Sequence, residues 1–465
     1  MSADERSLAI VVLAAGKGTR MKSDLPKVMQ PVLEEPMLYH VMRALAPLGP
    51  VAVIVGHGGD VVEYYLDSNW PDTNVLWQRD QLGTGHAVMM AKNWLSGFDR
   101  VLIVNGDMPL LTTDTARHIS DSHVGGCSFA TFSAEDPSGY GRVLKDPRVR
   151  IVEEKDCSEE ERALTEVNAG VYLVDVPPLL KGLKELGRDN SQGEYYLVDI
   201  LDSFHRMGLP VSAIHLDSSD DVMGVNNPLE LAEVGRILRD RYLKGWMIGE
   251  GVKCIDPSSV WIGPEVVFKG EAIIYPNVQI WGKTEIGRNV TVESFSVLRD
   301  AVVGDGSRIN GYVRIEDSSL GRQVKAGPFC YIRHRADVSD EAFVGKFVEV
   351  KKSLIGKGSK VPHLSYMGDA TLGERVNIGA GTITCNYDGE NKHKTSIGDD
   401  VFVGSDTMLV APVKIGDNAM TGAGSVITKD VPDGALAIGR ARQRNIEDRR
   451  GLMKKKSGGG DRVKQ

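Results

Sequence analysis

The run T-S-I-G-D-D-V-F-V-G-S-D-T-M-L-V-A-P-V-K-I-G-D-N-A-M-T-G, Thr395–Gly422, decides the fold of half the chain. Ile397-Gly398, Val403-Gly404 and Ile415-Gly416 are aliphatic-glycine pairs, and from Gly398 to Gly404, Gly416 and Gly422 the steps are 6, 12 and 6. Further pairs stand upstream at Ile262, Ile286, Val303, Leu320, Val344, Ile355, Leu372 and Ile378; from Gly321 to Gly327 and Gly345 the steps are 6 and 18. A period of six with a small residue after the aliphatic one is the hexapeptide pattern of a parallel β-helix. Each aliphatic side chain stacks inward on its neighbour one coil along, and the glycine is expected to permit the tight corner. Gly379 to Gly398 breaks phase at 19, so the polar segment Thr384–Thr395 is predicted to loop out, where solenoids often carry function.

The first half is punctuated differently. Leu8–Leu13, Val51–Val55 and Val101–Val104 read as buried parallel strands, and Met37–Leu48 and His86–Trp94 as helices between them. Asn227-Pro228 reads as an N-cap followed by proline at the first helical position, opening a connecting helix over roughly Pro228–Leu243. The expected organisation is an α/β Rossmann-like domain over 1–227, a helical linker over 228–250, a β-helix over 251–456 and a disordered tail over 457–465. That tail belongs to the segment Lys454–Gln465, which has no apolar face.

At 465 residues the chain needs more than one core. Its net charge of −8 makes it a poor binder of nucleic-acid phosphates. No run approaches the length of a membrane span, and the charged start MSADERS does not read as a signal peptide. The five cysteines are scattered without a C-x-x-C, which fits a reducing cytoplasm and excludes a zinc ribbon or disulfide framework.

After the first strand comes L-A-A-G-K-G-T-R-M-K-S-D-L-P-K, Leu13–Lys27. Leu13, Ala14, Ala15 and Gly16 place backbone N–H groups at a strand's carboxyl end, where they can close around a phosphate. Lys17, Arg20 and Lys27 supply cations against triphosphate charge. Neither a Rossmann fingerprint nor a Walker A spacing is present. Asp107 follows the strand Val101–Val104 and so stands at the carboxyl edge of the sheet, where open α/β folds bind ligands. Taken alone, it could equally be a turn aspartate.

The loop resembles the signature of sugar-nucleotide pyrophosphorylases, and Gln78–Ala87, Asn105–Leu110, Gly139–Arg142, Ile151–Asp156, Asn168–Gly170, Gln192–Tyr196 and Gly224–Asn227 follow in that family's order. Joined to a hexapeptide region, nearly the whole chain resembles the bacterial bifunctional uridyltransferase–acetyltransferases that make UDP-N-acetylglucosamine. The resemblance implies a left-handed β-helix, magnesium held by Asp107 and Asn226, uracil contacts at Gln78, Gly83 and Thr84, and sugar contacts at Gly141, Glu153 and Asn168. Asn105 and Gly106 complete the nucleotide site; Asn105 departs from the tyrosine often found there.

The resemblance extends to Gly345–Lys352, His363–Ala370 and Asn377–Gly389. It implies that His363 is the base for an amine attacking acetyl-coenzyme A, a task that suits histidine. Arg333 and Lys351 would grip the phosphate of glucosamine-1-phosphate, and Tyr366 and Asn377 would orient the sugar. Asn386 and Tyr387 would lie near the acetyl group, with Ala380, Ser405, Ala423 and Arg440 along the coenzyme. A homotrimer is implied, neighbouring chains completing each site. Two departures stand beside these residues: His334-Arg335 replaces Pro-Gly, and Pro362 replaces a glycine, which would stiffen or displace the loop. Rival readings are a UTP-dependent pyrophosphorylase whose β-helix only assembles it, a non-catalytic scaffold, and a zinc hydratase. For the last, His334, His363 and His393 lie too far apart to cluster.

Overall fold

The computed structural model describes residues 8–447 and 449–450. Its two compact units comprise the chain to Lys244 with Ile262–Pro264, and Gly245–Trp261 with the chain from Glu265 onward. The charged start Met1–Ser7 and the segment Lys454–Gln465 lie outside the described residues.

The first unit is built on strands β1 (Leu8–Ala14), β2 (Val51–Val55), β3 (Asn74–Trp77), β4 (Arg100–Asn105), β5 (Cys127–Ser133), β6 (Glu166–Asp175) and β7 (Val211–His215). They are ordered β7-β5-β6-β4-β1-β2-β3, with β6 antiparallel to both neighbours and the other pairs parallel. The apolar runs are continuous because both faces of the sheet are covered. Ile10 and Val12 pack into one core cluster, while Ala9 and Val11, pointing the other way, pack into a second. The first expected helix is Met37–Leu45 with a 3-10 turn to Leu48, and the second is broken into Thr84–Met90 and Lys92–Leu95.

The connecting helix runs Pro228–Gly249, six residues beyond its expected end. Gly245 weakens the helical pattern in sequence, but Trp246 packs on Phe268 with ring centroids 5.6 Å apart, and such packing overrides propensity. At its start Asn227 Oδ1 accepts from the N–H groups of Leu229 and Glu230, both at 3.0 Å. Among the described residues no helix is long and apolar enough to cross a membrane.

The second unit is the hexapeptide β-helix. Eleven short parallel strands from Lys253–Cys254 to Leu436–Ala437 form one face, and a seventeen-stranded sheet forms the others. Register follows the period: Arg308 pairs with Lys325, Lys325 with Phe343 and Phe343 with Lys360. The expected loop is present, since Asn377 pairs with Phe402 across an enlarged coil. The glycines serve a different purpose from the one expected. Left-handed corners are taken by residues such as Asn289, Gln323, Arg375 and Asn418. A Cβ on Gly398 would instead meet Asp417 Oδ1 at 2.1 Å, and that carboxylate accepts the Asp399 N–H at 2.8 Å. Gly416 stands in the same relation to Asp433. Glycine here admits the next coil's carboxylate to a backbone donor.

His40, on the helix Met37–Leu45, is buried and its Nε2–H donates to the Val32 carbonyl at 3.0 Å. Burial holds its pKa down to about 4, with the Arg43 charge adding and the Val32 bond opposing. The unfolded chain therefore takes up a proton near pH 6.5 that the folded chain refuses. Stability is complete above that pH and falls between about 6.5 and 4, by roughly 3 kcal/mol in all. Urea unfolding of wild type and His40→Gln across this range should show a shallower pH slope in the variant.

Candidate active sites

The phosphate loop leaves β1 at Ala14 and reaches a 3-10 turn at Thr19–Met21. Gly18 needs glycine twice over: its φ is 59°, and a Cβ would lie 2.7 Å from that of Lys27. A Cβ on Gly16 would meet nothing within 4 Å, because this stretch borders a cavity of about 650 Å³. Leu13, Ala14, Ala15, Gly16, Lys17, Arg20, Lys27, Gln78, Gly83, Thr84, Asn105 and Asp107 all line it. Gly106 is buried just behind, its N–H donating to the Leu13 carbonyl at 2.9 Å.

Asp107 and Asn226, 119 positions apart in sequence, converge on one positive centre. The Lys27 ammonium donates to Asp107 Oδ2 and, at 3.0 Å, to Asn226 Oδ1; Arg20 Nη2 reaches the same Asn226 oxygen at 2.9 Å. Asn226 is held by its backbone N–H, which donates to Glu230 Oε2 at 2.7 Å on the first turn of the connecting helix. Two oxygens sharing a cation suit a magnesium ion that keeps water or phosphate at its other positions. Among the described residues no group of three or more His, Cys, Asp or Glu side chains could hold a metal without such help.

Elsewhere on the cavity lining Gln78 Nε2 donates to the Gly83 carbonyl at 3.0 Å and contacts His86 Nδ1, while Thr84 Oγ1 accepts from the Leu197 N–H at 3.0 Å. Gly83 is left-handed at φ 107°. Gly141, Glu153 and Asn168 form a second group: the Gly141 carbonyl accepts from the Asn168 N–H at 2.8 Å, and Asn168 Oδ1 accepts from Gly170 N at 3.0 Å. Burial raises the Glu153 pKa, with Asp199, Asp156 and Glu194 adding repulsion. The Asn105 amide lies where a Cβ on Gly170 would sit, 2.5 Å away, so this departure from tyrosine packs on bare backbone.

In the β-helix the proposed acetyl-transfer residues divide between faces. Arg333, Lys351 and Tyr366 lie on strands of the seventeen-stranded sheet, and Arg333 and Lys351 are paired in register. Arg333 is clamped by Glu349 at 2.7 Å. His363 and Asn377 lie on the eleven-stranded face. From the registers Lys360↔Asn377, Ile378↔Val403 and Val403↔Thr421, the positions His363, Ala380, Ser405 and Ala423 fall in one column along successive coils. Arg440 lies beyond the last strand, exposed. Asn386 is buried at the root of the loop, its Nδ2 donating to Asp369 Oδ2 at 2.6 Å; Tyr387 is exposed. Pro362 does not break the ladder, since Lys346 still pairs with His363 and Gly345 yields the room its carbonyl needs. His334 and Arg335 are both left-handed, at φ 56° and 60°, a conformation a glycine would take at less cost.

Residues 10–173 match the MobA-like NTP transferase domain, and residues 394–429 match the bacterial transferase hexapeptide (six repeats). The chain is 46% identical to Bifunctional protein GlmU of Heliobacterium modesticaldum, over 94% of this chain and 96% of that one. The GlmU of Caldanaerobacter subterraneus is also 46% identical, over 95% and 97%, and that of Corynebacterium glutamicum 44%, over 99% and 96%. The chain belongs to the GlmU family. Like those relatives it is a bifunctional protein, with a nucleotidyltransferase unit and a hexapeptide acyltransferase unit in one polypeptide.

Beside Arg333 and Lys351 the β-helix of this GlmU chain holds one cation that sequence reasoning missed. Lys392 sits in the looped segment, bridged to Tyr387, and its ammonium lies beside that of Lys351. The contact, together with some burial and Arg333, lowers the Lys351 pKa. Two ammonium groups placed together repel, and an anion between them relieves the repulsion. The available signal was the run N-K-H-K at Asn391–Lys394, basic residues in a segment already predicted to leave the coil. Replacing Lys392 with Met should raise the Lys351 pKa, read from its side-chain NMR resonance during a pH titration of the full chain.

Proposed function

We propose that the chain makes UDP-N-acetylglucosamine in two steps, acetylating glucosamine-1-phosphate with acetyl-CoA and then transferring UMP from UTP to N-acetylglucosamine-1-phosphate. The observation that supports it is a separate cluster of cations in each unit: Lys17, Arg20 and Lys27 around the 650 Å³ cavity, and Arg333, Lys351 and Lys392 on the β-helix. Each suits a phosphorylated ligand.

In the first unit the backbone N–H groups of the loop and the three cations hold the triphosphate. Glu153, Gly141 and Asn168 hold the sugar so that its phosphate oxygen attacks the α-phosphorus in line and pyrophosphate leaves. Asp107 and Asn226 would hold a magnesium ion, which when bound would supply charge neutralisation at the phosphates. The protein contributes no nucleophile; alignment and electrostatics carry the rate. In the second unit the amine of the sugar attacks the thioester carbonyl, His363 takes its proton, and the carbon–sulfur bond breaks to release the coenzyme thiol. Arg333 and Lys351 hold the phosphate, while Tyr366 and Asn377 orient the ring. Asn386 and Tyr387 face the acetyl group, and the coenzyme lies along Ala380, Ser405 and Ala423 toward Arg440. The active form is a homotrimer in the cytoplasm.

Two variants separate the activities. His363→Ala should lose acetyl transfer by roughly 10²–10⁴-fold while UTP-dependent pyrophosphate release persists. Asp107→Asn should do the reverse, cutting pyrophosphate release at least about 100-fold and leaving thiol release intact. Survival of both activities in His363→Ala would overturn the assignment of His363 as the base, whereas a wild type without acetyl transfer would leave a pyrophosphorylase whose β-helix only assembles it.

A further inference from the structure

The looped segment of the β-helix contains a carboxylate that no step above uses. Asp388 is about half exposed, yet it accepts three hydrogen bonds. Its Oδ1 takes the backbone N–H groups of Glu390 and Asn391, at 2.8 and 2.7 Å, and its Oδ2 takes the His393 Nε2–H at 2.6 Å. These donors, the Asn391 N–H foremost, hold its pKa well below the usual carboxylate range. An aspartate that only begins a turn uses the backbone bonds alone. The ring of His393 comes from beyond Lys392, so this carboxylate spans the loop rather than its corner.

What these bonds enclose is Lys392. On its amino side Asn391 is tied twice, its N–H donating to the Asp388 carboxylate and its carbonyl accepting the Asp388 N–H at 3.2 Å. On its carboxyl side His393 donates through its ring to that carboxylate, and through its N–H to the Asn386 carbonyl at 2.8 Å. Lys392 itself bridges antiparallel to Tyr387. The segment is a small hairpin closed by one side chain.

The root of the hairpin is joined to the strand that carries Lys351. Asn386 Nδ2 donates to Asp369 Oδ2 at 2.6 Å, and the Asp369 N–H donates to the Lys351 carbonyl at 3.1 Å. Thr395, where the coil resumes, gives its N–H to the Asp369 carbonyl at 3.3 Å. Root and clamp together bring the Lys392 ammonium beside that of Lys351, which is itself in register with Arg333. Like charges on flexible stems separate when nothing holds their backbones. A loop ordered only on arrival of the ligand would also lose binding energy that a preformed hairpin keeps.

We propose that Asp388 is a positioning residue for acetyl transfer, clamping the loop so that Lys392 and Lys351 form one preformed grip on the phosphate of the sugar substrate. The proposal rests on the reading of the β-helix as the acetyltransferase and assigns the residue that readies its anion site. Asp388 touches no substrate. It acts through Lys392, and its loss weakens binding of the phosphorylated sugar while leaving attack on the thioester as it was.

The test uses full-length wild type, Asp388→Ala, Asp388→Asn, Lys392→Met and the double variant Asp388→Ala/Lys392→Met. Thiol release gives kcat and the KM for glucosamine-1-phosphate. Asp388→Ala should raise that KM about tenfold with kcat within about threefold, because the grip is made equally in the ground and transition states. Pyrophosphate release by the first unit should stay within about twofold of wild type. Asp388→Asn, whose amide oxygen can still accept from Glu390 and Asn391, should recover most of the affinity. The double variant should bind no more weakly than Lys392→Met, since clamp and cation act as one unit. The Lys351 pKa, read by NMR, should rise in Asp388→Ala as in Lys392→Met.

An unchanged KM in Asp388→Ala, or full additivity in the double variant, overturns the clamp and leaves the acetyltransferase standing. A wild type that releases no thiol overturns both. Should Asp388→Ala fail to fold, His393→Ala decides, since it removes one donor and keeps the carboxylate. It should raise the KM about threefold, and no rise overturns the clamp.

Discussion

Backbone hydrogen bonds along the axis of the β-helix govern everything in the second unit. For the Lys325 N–H to reach the Ala342 carbonyl, and the Phe343 N–H the Ser359 carbonyl, each coil must close in nearly constant length. That closure fixes which side chains stack inward, which glycines admit a neighbouring carboxylate, and which outward residues share a column. His363, Ala380, Ser405 and Ala423 line up because the coils do, although nothing in their side chains attracts one to another. Only the segment between Cys385 and Thr395 escapes, and there Asn386 and Lys392 take positions that no column could give them.

The first unit obeys a different constraint. A mostly parallel sheet covered on both faces leaves its strand ends open, and the cavity lies where β1 and β4 terminate. Lys27 draws that edge together by reaching both Asp107 and Asn226. The first turn of the connecting helix also fixes Asn226, so one local motif starts an element and holds Asn226 beside Lys27 and Arg20.

Much of this was legible in the order of residues because it was written locally. The six-residue period, the loop Leu13–Lys27 and the cap at Asn227-Pro228 each lie within a short window, and the fold class follows from them. The reach of Lys27 was not legible: its partners stand 80 and 199 positions away. Nor was the separation of Tyr366 from His363, two residues three positions apart that straddle a corner. The purpose of Gly398 was misread for a related reason. Its neighbour in sequence suggested a turn, whereas the atom that excludes a side chain is the Asp417 carboxylate, one coil on. The helix end was placed short because Gly245 obscured the packing of Trp246.

The column that begins at His363 makes the solenoid a ruler. Adjacent strands sit about 4.8 Å apart, so Ala423, three coils along, is roughly 14 Å from the level of the imidazole. Such a scaffold cannot adjust that span continuously; it can lengthen or shorten it only by a whole coil. Any extended molecule lying along these small side chains is measured in steps, and its two ends are graduated against marks cut at a fixed interval.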